Sequence, residues 1–154
     1  MSCAPFVQTP VEVAKKMIQL ADLKSGETLF DLGAGDGRLV IMAAQETAAS
    51  AVGVEMRDDL VERARSEIKR LNLEGKARII HDDFFNVDLG KADVVTLYLT
   101  TSGNERLRPK LERELKKGAK VISHDFKVGN WKPSVVYSEL LGHTIYSYEV
   151  GAQL

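Results

Sequence analysis

The stretch Asp31-Leu32-Gly33-Ala34-Gly35-Asp36-Gly37-Arg38 sets three alternate glycines among carboxylates. Glycines at that spacing let the backbone turn tightly and come close to a ligand. A dinucleotide fingerprint would need glycine at 33, 35 and 38, with a helix N-terminus holding a pyrophosphate. Position 38 is Arg, and Asp31 and Asp36 would repel that anion. A ligand with a cationic near end suits the loop better. Glu55 follows about 20 residues on, where an α/β nucleoside site takes a carboxylate for the ribose hydroxyls. Asp83 can accept from an adenine amino group, with Phe84 and Met56 on the two ring faces. Further along, Tyr98, His124 and Asp125 combine an aromatic wall with groups able to accept or orient a proton.

S-adenosyl-L-methionine fits these requirements. Its sulfonium and ammonium are both positive, and its carboxylate can lie against backbone N–H groups. The expected cofactor contacts are therefore Asp31, Gly33, Ala34, Gly35, Asp36, Gly37, Glu55, Met56, Asp83, Phe84 and Tyr98. No metal is expected. The acids Asp31, Asp36, Glu55, Asp82, Asp83 and Asp125 should gather at one end of the molecule, opposed chiefly by Arg38, Arg57 and Lys127. Such a mouth attracts cationic substrates.

Positioning these residues requires alternating strands and helices. Apolar runs at 28–32, 51–55, 77–81, 93–99 and 119–123 read as buried strands. Amphipathic stretches at 38–46, 57–71 and 104–117 lie between them, which implies a parallel sheet with helices on both faces. The runs 134–140 and 144–150 read as a closing hairpin, making seven strands. Residues 1–10 form an arm, and Thr9, Pro10 and Glu12 read as the N-cap, first turn and capping-box partner of a leading helix. Val11, Met17, Ile18 and Leu20 give that helix its apolar stripe, and Leu107, Leu111 and Leu115 give one to the last. Pro109 predicts a kink or late start there, and Gly118 a terminator. On the charged stretch 57–67, Asp59 with Arg63 and Arg63 with Glu67 have i,i+4 spacing, the pattern of a solvated helix face.

At 154 residues the chain suits one domain, 1–154, with a full core. Hydrophobic residues at 44% and charged ones at 28% exclude wholesale disorder. A net charge of −1 argues against a surface built to coat nucleic acid. No apolar run approaches the roughly 18 residues of a membrane span. The start lacks the marks of a signal peptide, and the lone Cys3 fits a reducing, cytoplasmic setting.

The glycine loop, Glu55 and Asp83, in order on consecutive strands, resemble the seven-stranded class I S-adenosylmethionine-dependent methyltransferases. That resemblance implies a three-layer Rossmann-like sheet of order 3-2-1-4-5-7-6, its last strand antiparallel. After strand four the chain reads Leu97-Tyr98-Leu99-Thr100-Thr101, without the Pro-Pro pair of the base-amino branch. The segments Asn104-Glu105-Arg106-Leu107-Arg108-Pro109 and Ser123-His124-Asp125-Phe126 are similar to the small archaeal protein-lysine methyltransferases and to their relatives that modify the c-subunit of mitochondrial ATP synthase. The resemblance implies transfer to lysine ε-amino groups of a broad range of proteins, with release of S-adenosyl-L-homocysteine; the chain is expected to act as a monomer. Tyr98, Phe126, Trp131 and Phe6 would wall a lysyl channel. A small molecule or RNA as acceptor, and a non-catalytic cofactor-binding module, stay open as alternatives.

Overall fold

A computed structural model describes residues 8–154. Phe6, Cys3 and most of the expected arm lie outside the described residues. The strands are β1 (Thr28–Leu32), β2 (Ser50–Glu55), β3 (Ala77–His81), β4 (Val94–Leu97), β5 (Lys120–His124), β6 (Val135–Leu140) and β7 (His143–Glu149). They join in one sheet of order β3-β2-β1-β4-β5-β7-β6, with β7 antiparallel to both neighbours. The four helices are α1 (Val11–Ala21), α2 (Arg38–Glu46), α3 (Asp58–Arg70) and α4 (Thr101–Glu114).

Alternation along each strand divides the core in two. Leu29, Val94, Ile122 and Ile145 face one side, packed with Met17 of α1, Val40 of α2 and Val61 of α3. Phe30, Val95, Val121 and Tyr148 face the other, packed with Leu107, Leu111 and Leu115. Helices thus cover both faces, as the strand–helix alternation requires. The carboxyl ends of β1, β2, β4 and β5 converge where their order reverses between β1 and β4, the usual ligand crevice of open α/β sheets.

Several local details differ from expectation. In α1 the N-cap is Pro10, in extended conformation at ψ 149, with no side-chain cap. Its fixed φ with extended ψ takes the cap position, shifting the helix one residue and leaving Thr9 outside. The buried stripe is Val13, Ala14, Met17, Ile18 and Ala21, with Val11 exposed. α4 starts earlier than expected because the Thr100 hydroxyl accepts from the Gly103 N–H at 3.0 Å, and Pro109 lies inside the helix. Gly118 serves a later turn at φ 90, beyond the C-cap Leu115. On α3 the bases pair elsewhere: Arg57 with Asp59 at 2.8 Å, Arg70 with Glu67, and Arg63 with Asp36 at 3.9 Å.

One glycine holds sheet and loop together by having no side chain. A Cβ on Gly53, mid-β2, would meet Ala34 Cβ at 2.6 Å and Ile79 Cδ1 at 2.8 Å. Gly53→Ala therefore lowers Tm by about 3–10 °C, the range expected for overpacking a chain of this size. A melt indistinguishable from wild type would contradict the close approach.

Candidate active site

The loop after β1 folds back on the end of β2. The N–H groups of Gly33 and Ala34 both donate to the Val54 carbonyl at 2.9 Å, and that of Gly37 donates to the Ala34 carbonyl at 2.9 Å. Gly35 N–H donates to Glu55 Oε1 at 2.8 Å. Four loop amides, of Gly33, Ala34, Gly35 and Gly37, are thus paired inside the fold. What the loop offers instead is close backbone approach. Gly37, at φ 84, is the N-cap of α2, and a Cβ there would stand 2.9 Å from Ala64 Cβ.

Two carboxylates flank this loop, with different roles. Asp31 is buried between Gly53 and Thr96 in the sheet register. Its Oδ1 accepts from the Thr96 hydroxyl at 2.8 Å, yet burial raises its pKa to about 7. A buried carboxyl with so high a pKa gains most from a cation brought beside it. Asp36 turns away: Arg38 bridges to it at 2.9 Å and donates to the Thr9 carbonyl at 3.2 Å. These contacts with Arg38 hold the Asp36 carboxyl below its usual range against the opposing cost of burial. Asp36 therefore locks the loop, through Arg38, to the chain before α1.

Glu55 ends β2. Besides Gly35, it accepts from the N–H groups of Met56 at 3.1 Å and Arg57 at 3.0 Å, both on Oε2. An ionised carboxylate has about four lone-pair positions, so Oε1 keeps an acceptor site. Met56 lies half-buried beside it, and its carbonyl receives a contact from His81 Nε2 at 3.1 Å. Asp83 caps a short 3-10 turn, Phe84–Asn86, accepting from Phe85 N–H at 3.0 Å. Phe84, the expected adenine wall, is instead 7% exposed and packs in the core, because the turn points it inward. Phe85 is the half-exposed ring, with the Arg106 guanidinium 5.2 Å from its centroid.

The second half of the site lies at the ends of β4 and β5. The half-exposed Tyr98 ring stacks on His124 at 3.8 Å between centroids and lies 6.4 Å from Phe126. Burial, then the nearby Asp125 charge, raises the Tyr98 pKa, so its hydroxyl stays protonated. His124 is fully buried, and burial pushes its imidazole well below the usual value. Its Nε2 lies 2.8 Å from His143 Nδ1 and 3.3 Å from Asp125 Oδ2. A neutral, covered imidazole does not reach an acceptor directly.

The family model of the ANTKMT methyltransferase domain matches residues 31–135, which contain the glycine loop, Glu55, Asp83, Tyr98 and Asp125. The chain belongs to this methyltransferase family. A protein-lysine N-methyltransferase of Saccharolobus islandicus is 41% identical over 96% of this chain and 94% of its own. The lysine N-methyltransferase of the ATP synthase c-subunit in Mus musculus is 32% identical over 98% of the chain, which spans 60% of the mouse protein. A solved structure from Salinibacter ruber, described as an RNA methyltransferase in complex with S-adenosyl-L-homocysteine, is 40% identical with a TM-score of 0.92, covering 96% of each chain.

Three residues of this methyltransferase take roles that their sequence neighbourhood does not announce. His143 enters the site from the start of β7; the hairpin is legible in the sequence, but the residue's approach to His124 is not. Asn104 of α4 is fully buried, and its Nδ2 donates to the Phe126 and Lys127 carbonyls at 3.1 Å each, fixing the segment after Asp125. Arg38, which breaks the dinucleotide pattern, is the loop's clamp. Trp131, expected in a lysyl channel, is 3% exposed in the core; its Nε1 donates to Glu112 at 3.1 Å and its ring meets Tyr148 edge-on. Its size and lack of exposure suit it to filling the space under the loop after β5.

Asp31 gives this methyltransferase a pH signature. Its folded pKa of about 7 lies above the ordinary carboxylate value of 3.8. A raised pKa means the stabilising contribution is full below about pH 4 and is lost as pH rises to about 7. In the ligand-free protein, Asp31→Asn should gain on wild type by roughly 2–3 kcal/mol between pH 5 and pH 8. Urea melts at the two pH values measure the gain, and a constant difference would contradict it.

Proposed function

We propose that this chain transfers methyl groups from S-adenosyl-L-methionine to lysine ε-amino groups of proteins that present exposed lysines. The observation that carries the reading is the mouth formed by Tyr98, Phe126 and Asp125 at the ends of β4 and β5, beside the glycine loop. The donor set fits the cofactor: a buried carboxyl at Asp31 for a cation, a remaining acceptor site on Glu55 for a ribose hydroxyl, and Asp83 for an adenine amino group. Met56 supplies an apolar cover, and Phe84 supports the turn that aims Asp83. The cofactor supplies a methyl group activated on its sulfonium and leaves as S-adenosyl-L-homocysteine.

The chain's own work is on the acceptor. A lysine ammonium, with a pKa near 10.4, must lose a proton before its nitrogen can attack. Tyr98 and Phe126 hold the cationic head by cation–π contact and strip water from it, which favours the neutral amine. The released proton passes to water, Asp125 orients the incoming amine, and His124 positions the Tyr98 ring from beneath. The amine must then sit about 3 Å from the methyl carbon. Among the described residues no helix is long and apolar enough to cross a membrane. The lone cysteine suits a reducing compartment, and we assign the enzyme to the cytoplasm, as a monomer meeting folded proteins.

RNA is the second reading, favoured by the description of the Salinibacter relative. The carboxylates at the carboxyl ends of the strands, Glu55 after β2, Asp82 and Asp83 after β3 and Asp125 after β5, oppose it, since they repel a phosphate backbone. Incubation with S-adenosyl-L-methionine and lysine-bearing protein should form S-adenosyl-L-homocysteine in step with methyl-lysine. Binding of the cofactor without any such product would replace the enzyme by a binding module.

A further inference from the structure

His124 Nε2, His143 Nδ1 and Asp125 Oδ2 form a triangle with sides of 2.8, 3.1 and 3.3 Å. Hydrogen bonding satisfies at most two of its three sides. Each ring nitrogen either donates or accepts, and an ionised carboxylate only accepts. Among three mutual contacts between such atoms, at least one pairs like with like. A cation at the centre makes all three acceptors useful at once.

The dimensions match that solution. Zinc binds His nitrogen at about 2.0–2.1 Å and carboxylate oxygen at about 2.0–2.2 Å, which sets ligand atoms about 2.8–3.5 Å apart in octahedral or tetrahedral geometry. The outer atoms are held as metal ligands require. Thr144 N–H donates to Asp125 Oδ1 at 2.9 Å, and Thr9 Oγ1 lies 3.4 Å from His124 Nδ1. A proton on Nδ1, directed at Thr9, leaves the Nε2 lone pair facing the other two ligands. The His124 side chain is fully buried, while those of Asp125 and His143 are 24% and 31% exposed, so the site has a wall and an entrance.

We propose that His124, Asp125 and His143 form a site for one divalent transition-metal ion of the Zn2+ class, joining the end of β5 to the start of β7. Two imidazoles with one carboxylate suit zinc and its neighbours and do not suit Mg2+ or Ca2+. The ion would clamp the ring beneath Tyr98 and tie Thr9 to the sheet. The proposal does not rest on the methyl acceptor, and its readout needs no methyl transfer.

The test uses tag-free, chelator-stripped protein titrated with Zn2+ alone and, separately, with Co2+, without cofactor. The expected result is one ion per chain, visible d–d absorption from Co2+, and a Tm several degrees higher with Zn2+. His143→Ala and Asp125→Asn should each weaken Zn2+ binding by more than about 100-fold, beyond the roughly 10- to 100-fold loss expected of an outer contact. Asn tolerates the left-handed backbone of residue 125, at φ 67, so the second variant keeps the fold. No saturable binding, a stoichiometry other than one, or affinity unchanged in both variants overturns the site.

Discussion

Glu55→Gln weakens S-adenosyl-L-methionine binding by about 30- to 1,000-fold, corresponding to about 2–4 kcal/mol. The size follows from what the carboxylate does. It accepts from three backbone N–H groups, of Gly35, Met56 and Arg57, and in the proposed cofactor site its remaining acceptor position would serve the ribose. Glutamine keeps one carbonyl oxygen and turns an amide donor against N–H groups that also donate. If the carbonyl stays on Gly35, the donor faces Met56 and Arg57. If it flips, the donor faces Gly35 and the loop shifts. Either way the charge-assisted bonds go. Calorimetric titration of the cofactor measures the loss, and affinity within about threefold of wild type would remove Glu55 from the site.

The second large effect falls on the acceptor side. Tyr98→Ala should lower kcat/KM for a lysine-bearing protein by about 100-fold, since small misplacements of a reacting group cost about that much. The ring is held between His124 at 3.8 Å and Phe126 at 6.4 Å, so its removal opens the wall and frees both neighbours to move. Tyr98→Phe keeps the ring and should retain activity within about tenfold, because the hydroxyl is asked to do little while protonated. Cofactor affinity should fall far less than kcat/KM in the alanine variant. If affinity and kcat/KM fell together, Tyr98 would belong to the cofactor alone.

Much of this arrangement was legible in the sequence, for definable reasons. The parallel sheet follows the βα alternation, because parallel strands announce themselves as apolar runs, while its strand order came only with the resemblance carried by the glycine loop, Glu55 and Asp83. That Glu55 would end a strand about 20 residues past the glycine loop was legible from the spacing; that its carboxylate holds Gly35 was not. Roles set by long-range packing were not. Nothing near Trp131 marks it as core rather than channel wall, since it sits in an irregular segment without periodicity. His143 meets His124 across 19 residues of chain, a pairing decided by the β5–β7 register. Asp36 reads as a ligand acid until Arg38 is seen to hold it at 2.9 Å. Phe84 and Phe85 differ only in which way a 3-10 turn aims them. Thr9 looks like a helix cap, yet Pro10 takes that position and leaves the hydroxyl near His124.

Whether the methyl group reaches a protein lysine can be read directly. The most direct measurement incubates the enzyme with methyl-labelled S-adenosyl-L-methionine and cell lysate, with and without ribonuclease, and maps the labelled residue by mass spectrometry. The account predicts label on lysine ε-nitrogen, in amounts that ribonuclease leaves unchanged and Tyr98→Ala cuts by about 100-fold. Label that disappears with ribonuclease treatment, or that maps to nucleotides and not to lysine, would contradict it.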